Sequence, residues 1–269
     1  MRWLVVLLFG ASLVATASPA AGALPEPVPC RANSFAPCWD PEPTTEPWQW
    51  QLQGKIDLSV PAPVYDIDID ESAEVVEAIH AQGDKAICYL SVGTYEPFRS
   101  DAKDFPRSLL GERLDRFDEE RWLDIRRLSK LRPIIEARLD TCAAKGFDAV
   151  EPDNVDAYQN RSGFPLKGSD QLAYNTWVAD AVHERAMVVG LKNDLGQVKQ
   201  LLPYFDFAVN EQCFQYRECD VLERFIADGK PVFGAEYEIA TSKFCKASLE
   251  SGFSTIFKRY SLKAFRQTC

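Results

Sequence analysis

Several short apolar runs in this 269-residue chain stop at acids or amides. Phe147-Asp148-Ala149-Val150 runs into Glu151-Pro152-Asp153-Asn154-Val155-Asp156, and Phe205–Val209 runs into Asn210-Glu211-Gln212. Val188–Leu191 leads to Lys192-Asn193-Asp194, and Val232–Ala235 leads to Glu236-Tyr237-Glu238. Glu151 and Asp153, two residues apart on extended chain, face the same side. Pro152 cannot donate to a ladder, so the strand is expected to end there, with Asp153 at its tip. Asp and Asn also favour turns and caps, so their shared position at strand ends is what singles these groups out. Two carboxylates flanking a glycosidic bond are what its hydrolysis requires: one protonates the leaving oxygen, and the other attacks the anomeric carbon or activates water. Asp153 and Glu211 are the candidate catalytic pair, Asp153 as nucleophile or stabilising base and Glu211 as proton donor, with the order of roles open. Lys192 and Asn193 stand beside them, where a cation would keep one acid ionised.

Other acids and rings are candidates for binding substrate. Asp66, Asp68 and Asp70 alternate with Tyr65, Ile67 and Ile69 and so share one strand face. Their spacing resembles the start of a calcium loop, but Glu71 occupies the place where the sharp turn needs glycine. They are better placed to meet sugar hydroxyl or ammonium groups. Tyr89 closes another strand and could stack on a sugar. Asp124-Ile125-Arg126 could orient neighbouring carboxylates or form a structural ion pair. Asp66, Asp68, Tyr89, Asp124, Lys192, Asn193 and Glu236 therefore form the substrate-binding set, and neither a cofactor nor a metal is called for. The chain has two histidines; His183-Glu184 lacks the second histidine of a zinc-protease helix, and no nucleophile elbow, dinucleotide fingerprint or phosphate loop occurs. His80 and His183 are expected on helix surfaces.

The elements that must position these groups alternate. Candidate strands are Trp48–Leu52, Val64–Ile69, Lys85–Val92, Arg121–Ile125, Phe147–Val150, Met187–Leu191, Phe205–Val209, Pro231–Ala235 and Ser254–Phe257. Helical stretches separate most of them: Ser72–Gln82 stops at Gly83, Lys130–Lys145 stops at Gly146, and Ser169 is placed to cap a third. Near-continuous apolar strands alternating with helices indicate a buried parallel sheet. The fold class is thus α/β, a single-domain (β/α)8 TIM barrel, whose catalytic groups lie at the carboxyl ends of the strands. Nine candidates compete for eight places, and Trp48–Leu52 or Ser254–Phe257 is expected to be the irregular extra.

Arg2, the apolar run Leu4–Val14 and Ala15-Thr16-Ala17 read as a signal peptide over residues 1–17, too short in its apolar core to span a bilayer. A proline-rich arm follows at 18–47, then the barrel at 48–269. Eight cysteines suit an extracellular protein. Eight cysteines allow 105 pairings, so the sequence leaves most of the connectivity open; Cys30–Cys38 and Cys213–Cys219 are the plausible local pairs, and Cys245 with Cys269 could tie down the chain end. The formal charge of −10 disfavours nucleic acid and anionic membranes as partners and suits a polycation. No membrane span is expected after leader cleavage, and the protein is expected to act as a monomer. Asn160-Arg161-Ser162 is a glycosylation sequon.

Read in order, these residues resemble glycoside hydrolase family 114, the endo-α-1,4-polygalactosaminidases and their relatives. The likeness runs from Trp48-Gln49-Trp50-Gln51-Leu52 to the last strand. It takes in Val64-Tyr65-Asp66-Ile67-Asp68, Trp122-Leu123-Asp124-Ile125-Arg126, Glu151-Pro152-Asp153-Asn154-Val155-Asp156, Gly163-Phe164-Pro165-Leu166, Asn210-Glu211-Gln212-Cys213 and Glu236-Tyr237-Glu238. The resemblance implies a secreted hydrolase of cationic or partly N-acetylated galactosamine-rich polysaccharide, with the family's essential acids falling on Asp153 and Glu211. The alternative is a non-catalytic carbohydrate-binding barrel.

Overall fold

The computed structural model describes residues 24–31 and 38–269, so the expected signal peptide at 1–17 lies outside the described residues. The strands are β1 (Gln49–Gln51), β2 (Val64–Asp68), β3 (Lys85–Ser91), β4 (Thr94–Tyr95), β5 (Leu110–Leu114), β6 (Phe117–Leu123), β7 (Ala149–Asp153), β8 (Val188–Lys192), β9 (Phe207–Glu211), β10 (Val232–Glu236), β11 (Ser254–Phe257) and β12 (Gln267–Thr268). The helices are α1 (Ala73–His80), α2 (Leu128–Ala144), α3 (Gly168–His183), α4 (Val198–Leu201), α5 (Cys213–Tyr216), α6 (Glu223–Ala227) and α7 (Thr241–Glu250).

Strand parity divides the apolar residues between two cores. Val64, Ile87, Ala149, Val188, Phe207, Val209, Phe233, Ala235 and Ile256 point inward and pack with Trp48 and Trp50. Tyr65, Ile67, Cys88, Leu90, Val150, Val189, Leu191 and Ala208 point outward beneath the helices. Both strand faces are therefore buried, which is why these runs read as continuously apolar. Inside, Gly190 makes room for the Phe207 ring, which a Cβ would meet at 2.3 Å.

The sheet runs β1-β2-β3-β7-β8-β9-β10-β11 in parallel, with β12 antiparallel to β11. Side chains bridge the seam between β1 and β11. Lys258 Nζ donates to Gln49 Oε1 at 3.1 Å, Trp48 N–H to Ser254 Oγ at 3.3 Å, and Arg266 to the Pro47 and Trp48 carbonyls. The expected (β/α)8 barrel is present, but its surplus strand is neither the first nor the last. Arg121–Ile125 falls largely in β6, the centre of a separate antiparallel sheet in the order β4-β6-β5, inserted between β3 and α2. Its alternating residues satisfy a period of two equally well in either sheet.

Gly83 and Gly146 follow α1 and α2 at φ +90° and +85°, as the sequence suggests. The third helix begins differently: Asp170, rather than Ser169, accepts the Lys167 N–H at 2.8 Å. The three expected disulfides are formed, and Cys88–Cys142 adds a fourth that ties β3 to α2. The arm packs under the barrel, where Trp39 meets Phe207 and the Val28 carbonyl meets His183 Nδ1 at 2.7 Å. His183 is consequently buried rather than on a helix surface, with Asp206 Oδ2 at 2.8 Å from Nε2. His80 is partly exposed beside Asp148.

Candidate active site

Adjacent strands β7, β8 and β9 bring Asp153, Lys192 and Glu211 to the carboxyl end of the barrel. Lys192 Nζ lies 2.9 Å from Glu151 Oε1, 3.1 Å from Asp153 Oδ1 and 3.4 Å from Glu211 Oε2. It also sits 4.6 Å from the centre of the Trp50 ring. Burial opposes the charge on this amine, but Asp153, Glu151 and Glu211 together outweigh it and hold its pKa well above the ordinary lysine value. The ammonium is fixed among three carboxylates.

Each candidate acid is held at both oxygens. Asp153 Oδ1 accepts the Asn154 N–H at 2.8 Å and Oδ2 accepts the Tyr89 hydroxyl at 2.9 Å. Glu211 Oε1 accepts the Tyr237 hydroxyl at 2.5 Å, and Oε2 accepts Asn193 Nδ2 at 3.2 Å. Asn193 Oδ1 in turn accepts the Glu211 N–H at 2.9 Å. The residue after each strand end is left-handed: Asn154 at φ +62°, Asn193 at +50° and Gln212 at +64°. Asparagine tolerates this region better than most residues, and such conformations cluster at functional sites. Here they turn the chain off the sheet immediately beyond Asp153, Lys192 and Glu211.

Behind the ammonium lies a second acid pair. Asp66 and Glu151 are both fully buried. Burial first, and then the charge of Glu151, push Asp66 well above the carboxylate range. Burial raises Glu151 as well, and the Lys192 ammonium opposes that rise. Asp66 supports the site from behind and does not reach the mouth, which corrects its expected role in binding.

Three other expected ligands point elsewhere. Asp68 receives both Arg99 terminal nitrogens, at 2.5 and 2.7 Å, and Asp70 also meets Arg99. A guanidinium thereby takes the place that a cation-binding loop would keep open. Asp124 accepts Arg126 at 2.7 and 2.9 Å; burial would raise its pKa, but Arg126 outweighs that and lowers it. Glu236 is 1% exposed and accepts the Phe214 N–H at 2.8 Å, capping α5, with its pKa pushed up to about 7 by burial. Its parity is opposite to that of Ala235 and Tyr237, so it turns away from the barrel interior. Tyr89, Lys192 and Asn193 do meet the acids.

The mouth opens into a groove of two cavities, of about 320 and 900 Å³, that share Glu211 and Asn193 in their linings. Trp50, Glu120, Trp122 and Asp156 line the smaller, and Tyr237 and Tyr260 line the larger. None of these is among the expected site residues. Tyr237 was within reach of the parity argument, since it continues the inward set of β10; Glu120 and Trp122 come from the inserted sheet, which no strand-end argument locates. Glu120 is raised to about 7, by burial and then by the charges of Glu96 and Asp153. Asp156 is raised to about 6, by burial and then by Asp153. Asn160 of the sequon is exposed on the rim shared by both cavities.

Known structures share this architecture. Ega3 of Aspergillus fumigatus, solved in complex with galactosamine, is 35% identical and superposes with a TM-score of 0.81 over 88% of this chain and 100% of its own. The glycoside hydrolase domain of PelA from Pseudomonas aeruginosa is 12% identical, with a TM-score of 0.66 over 82% of this chain and 98% of that one. The α-galactosidase TtGalA of Thermus thermophilus is 11% identical, with a TM-score of 0.56, over 85% and 60%. The latter two share the fold. No curated protein sequence matches the chain. The model of glycoside-hydrolase family GH114 matches residues 30–269, beginning within the arm at Cys30, and the chain belongs to that family.

Proposed function

We propose that this protein is a secreted endo-glycosidase that hydrolyses α-1,4-linked, galactosamine-containing polysaccharide, with Asp153 as nucleophile and Glu211 as acid and base. The carrying observation is that one ammonium touches both carboxylates. The two facing oxygens are therefore no farther apart than the two contacts laid end to end, about 6.5 Å. Inverting enzymes need roughly 6.5–9.5 Å between carboxyl groups to fit a water, whereas retaining enzymes hold them about 5–5.5 Å apart. That bound leaves room for the closer, retaining spacing, and the configuration of the first-formed product decides between the two.

Lys192, the Asn154 N–H and the Tyr89 hydroxyl all donate to Asp153 and orient its carboxylate for attack. Glu211 is the more exposed of the two, at 29% against 18% for its side chain. In the first step protonated Glu211 gives its proton to the glycosidic oxygen as Asp153 bonds to the anomeric carbon and the leaving chain departs. In the second, Glu211 takes a proton from water, whose oxygen displaces Asp153. Lys192 stabilises Glu211 whenever it is ionised.

Galactosamine bound to Ega3, at 35% identity, supports the substrate class. Glu120 and Asp156 add acidic groups to the groove for an ammonium-bearing sugar. Four disulfides and the apolar leader support export, and among the described residues no helix is long and apolar enough to cross a membrane. The test is release of reducing ends from partly deacetylated α-1,4-galactosaminogalactan by wild type, Asp153→Asn and Glu211→Gln. Wild type alone should release them, with the first-formed product an α-anomer by NMR. Tight polymer binding without new reducing ends would replace the hydrolase with a binding protein, and an inverted product would remove the nucleophile from Asp153.

A further inference from the structure

The two cavities of the groove differ in which acid they expose. Glu211 lines both, whereas Asp153, Lys192, Trp50 and Tyr89 line the smaller one alone. In a double displacement the attacked sugar lies over the nucleophile, and the leaving chain extends past the proton donor. We infer that the polymer runs with its non-reducing flank in the smaller cavity and its reducing-end flank in the larger, where Tyr216 and Tyr260 bind the leaving-group sugars. This inference rests on the two-carboxylate reading above and adds to it a chain direction and binding residues.

The larger cavity is built for that task. At about 900 Å³ against 320 Å³, it holds more of the polymer than the cavity over Asp153. Tyr216 is 57% exposed and Tyr260 49%, although both are large and largely apolar. Sugar rings present apolar faces to such surfaces. Tyr216 ends α5, a helix fixed by the Cys213–Cys219 disulfide and by the Glu236 cap on the Phe214 N–H. That short rigid element carries the chain on from Glu211, so the platform and the proton donor keep one spacing. Tyr260 stacks on Tyr237 with ring centres 4.5 Å apart, and Tyr237 donates to Glu211. Arg116 at the β5–β6 turn also lines this cavity, 5.3 Å from the centre of the Tyr260 ring. Phe117, the first residue of β6, lines both cavities.

The experiment uses α-1,4-linked galactosamine heptamer labelled at the reducing end with ¹⁸O, digested briefly and analysed by mass spectrometry. Wild type should give a labelled fragment longer than the unlabelled one. Tyr216→Ala and Tyr260→Ala should lose that bias and raise KM roughly two- to tenfold, the range of one aromatic contact, with kcat less affected and thermal unfolding unchanged. A longer unlabelled fragment would overturn the chain direction. Wild-type bias and KM in both variants would overturn the role of the tyrosines. No cleavage by wild type would instead remove the galactosaminidase reading itself, and this inference with it.

Discussion

The ammonium of Lys192 stands 2.9 Å from Oε1 of Glu151, a carboxylate with no exposed surface. Removing one partner of a buried ion pair leaves the other charge uncompensated, typically at about 3–5 kcal/mol. Lys192→Met should therefore lower both stability and turnover, the latter by at least roughly 100-fold, as for loss of a preorganised electrostatic group. Lys192→Met combined with Glu151→Gln should regain much of the stability and none of the activity. Thermal melts and reducing-end assays on the two proteins check this. A double variant no more stable than the single one would deny the pairing.

Gly93 fixes the backbone that follows Asp153. A Cβ at this position would fall 1.7 Å from the Asn154 carbonyl oxygen, so the left-handed turn must move. Overpacking of this kind costs about 1–3 kcal/mol, which for a domain of this size lowers Tm by several degrees. In Gly93→Ala, kcat should fall more than the change in stability explains, because Asp153 loses the Asn154 N–H. Normal kcat in a folded Gly93→Ala protein would show that this turn does not place the acid.

Asp194 gives a pH test of stability. It is 1% exposed, and burial first, then the charge of Asp156, raise its pKa to about 8. The folded protein binds this proton more tightly than the unfolded chain does. The resulting stability is fully present below the unfolded pKa of 3.8 and is lost as pH rises through about 8. Asp194→Asn keeps the shape without the charge, so its advantage over wild type should grow from pH 4 to pH 8. Urea unfolding across that range measures the difference, and a constant difference would refute the raised pKa.

Lys258 works in the opposite sense. Burial first, and then Arg266, lower its pKa from 10.5 to about 7, while Gln49 and the Lys263 carbonyl supply its hydrogen bonds at the barrel seam. The unfolded chain binds the proton more tightly between those values, so wild type should gain stability from pH 7 to 9, by at most about 1.4 kcal/mol per unit. Lys258→Met should flatten that rise. Parallel slopes for the two proteins would indicate that Lys258 stays charged in the fold.

Much of the site was legible without coordinates because a strand alternates its faces strictly. Glu151 and Asp153 had to share a side, and an apolar run buried on both faces had to stop where its acids reach solvent. Those two constraints identify Asp153, Glu211 and Lys192 from neighbouring residues alone. The barrel, the glycines after α1 and α2, and the local pairs Cys30–Cys38 and Cys213–Cys219 were legible for a similar reason: each depends on local pattern or short separation. What tertiary structure decided is depth and direction. Asp66 and Glu151 have the right parity but lie one layer too deep to meet a substrate. Glu236 sits at a strand end with the wrong parity and caps α5 instead. Arg121–Ile125 carries an authentic alternating pattern, yet pairs with the insert, because a period of two does not specify a partner. Cys88 and Cys142, 54 residues apart, meet only when α2 packs on β3. The inserted sheet brings Glu120 and Trp122 over Asp153 for the same reason: side-chain alternation is a property of one strand, whereas the groove is a property of strands from distant parts of the chain, set by how the barrel closes.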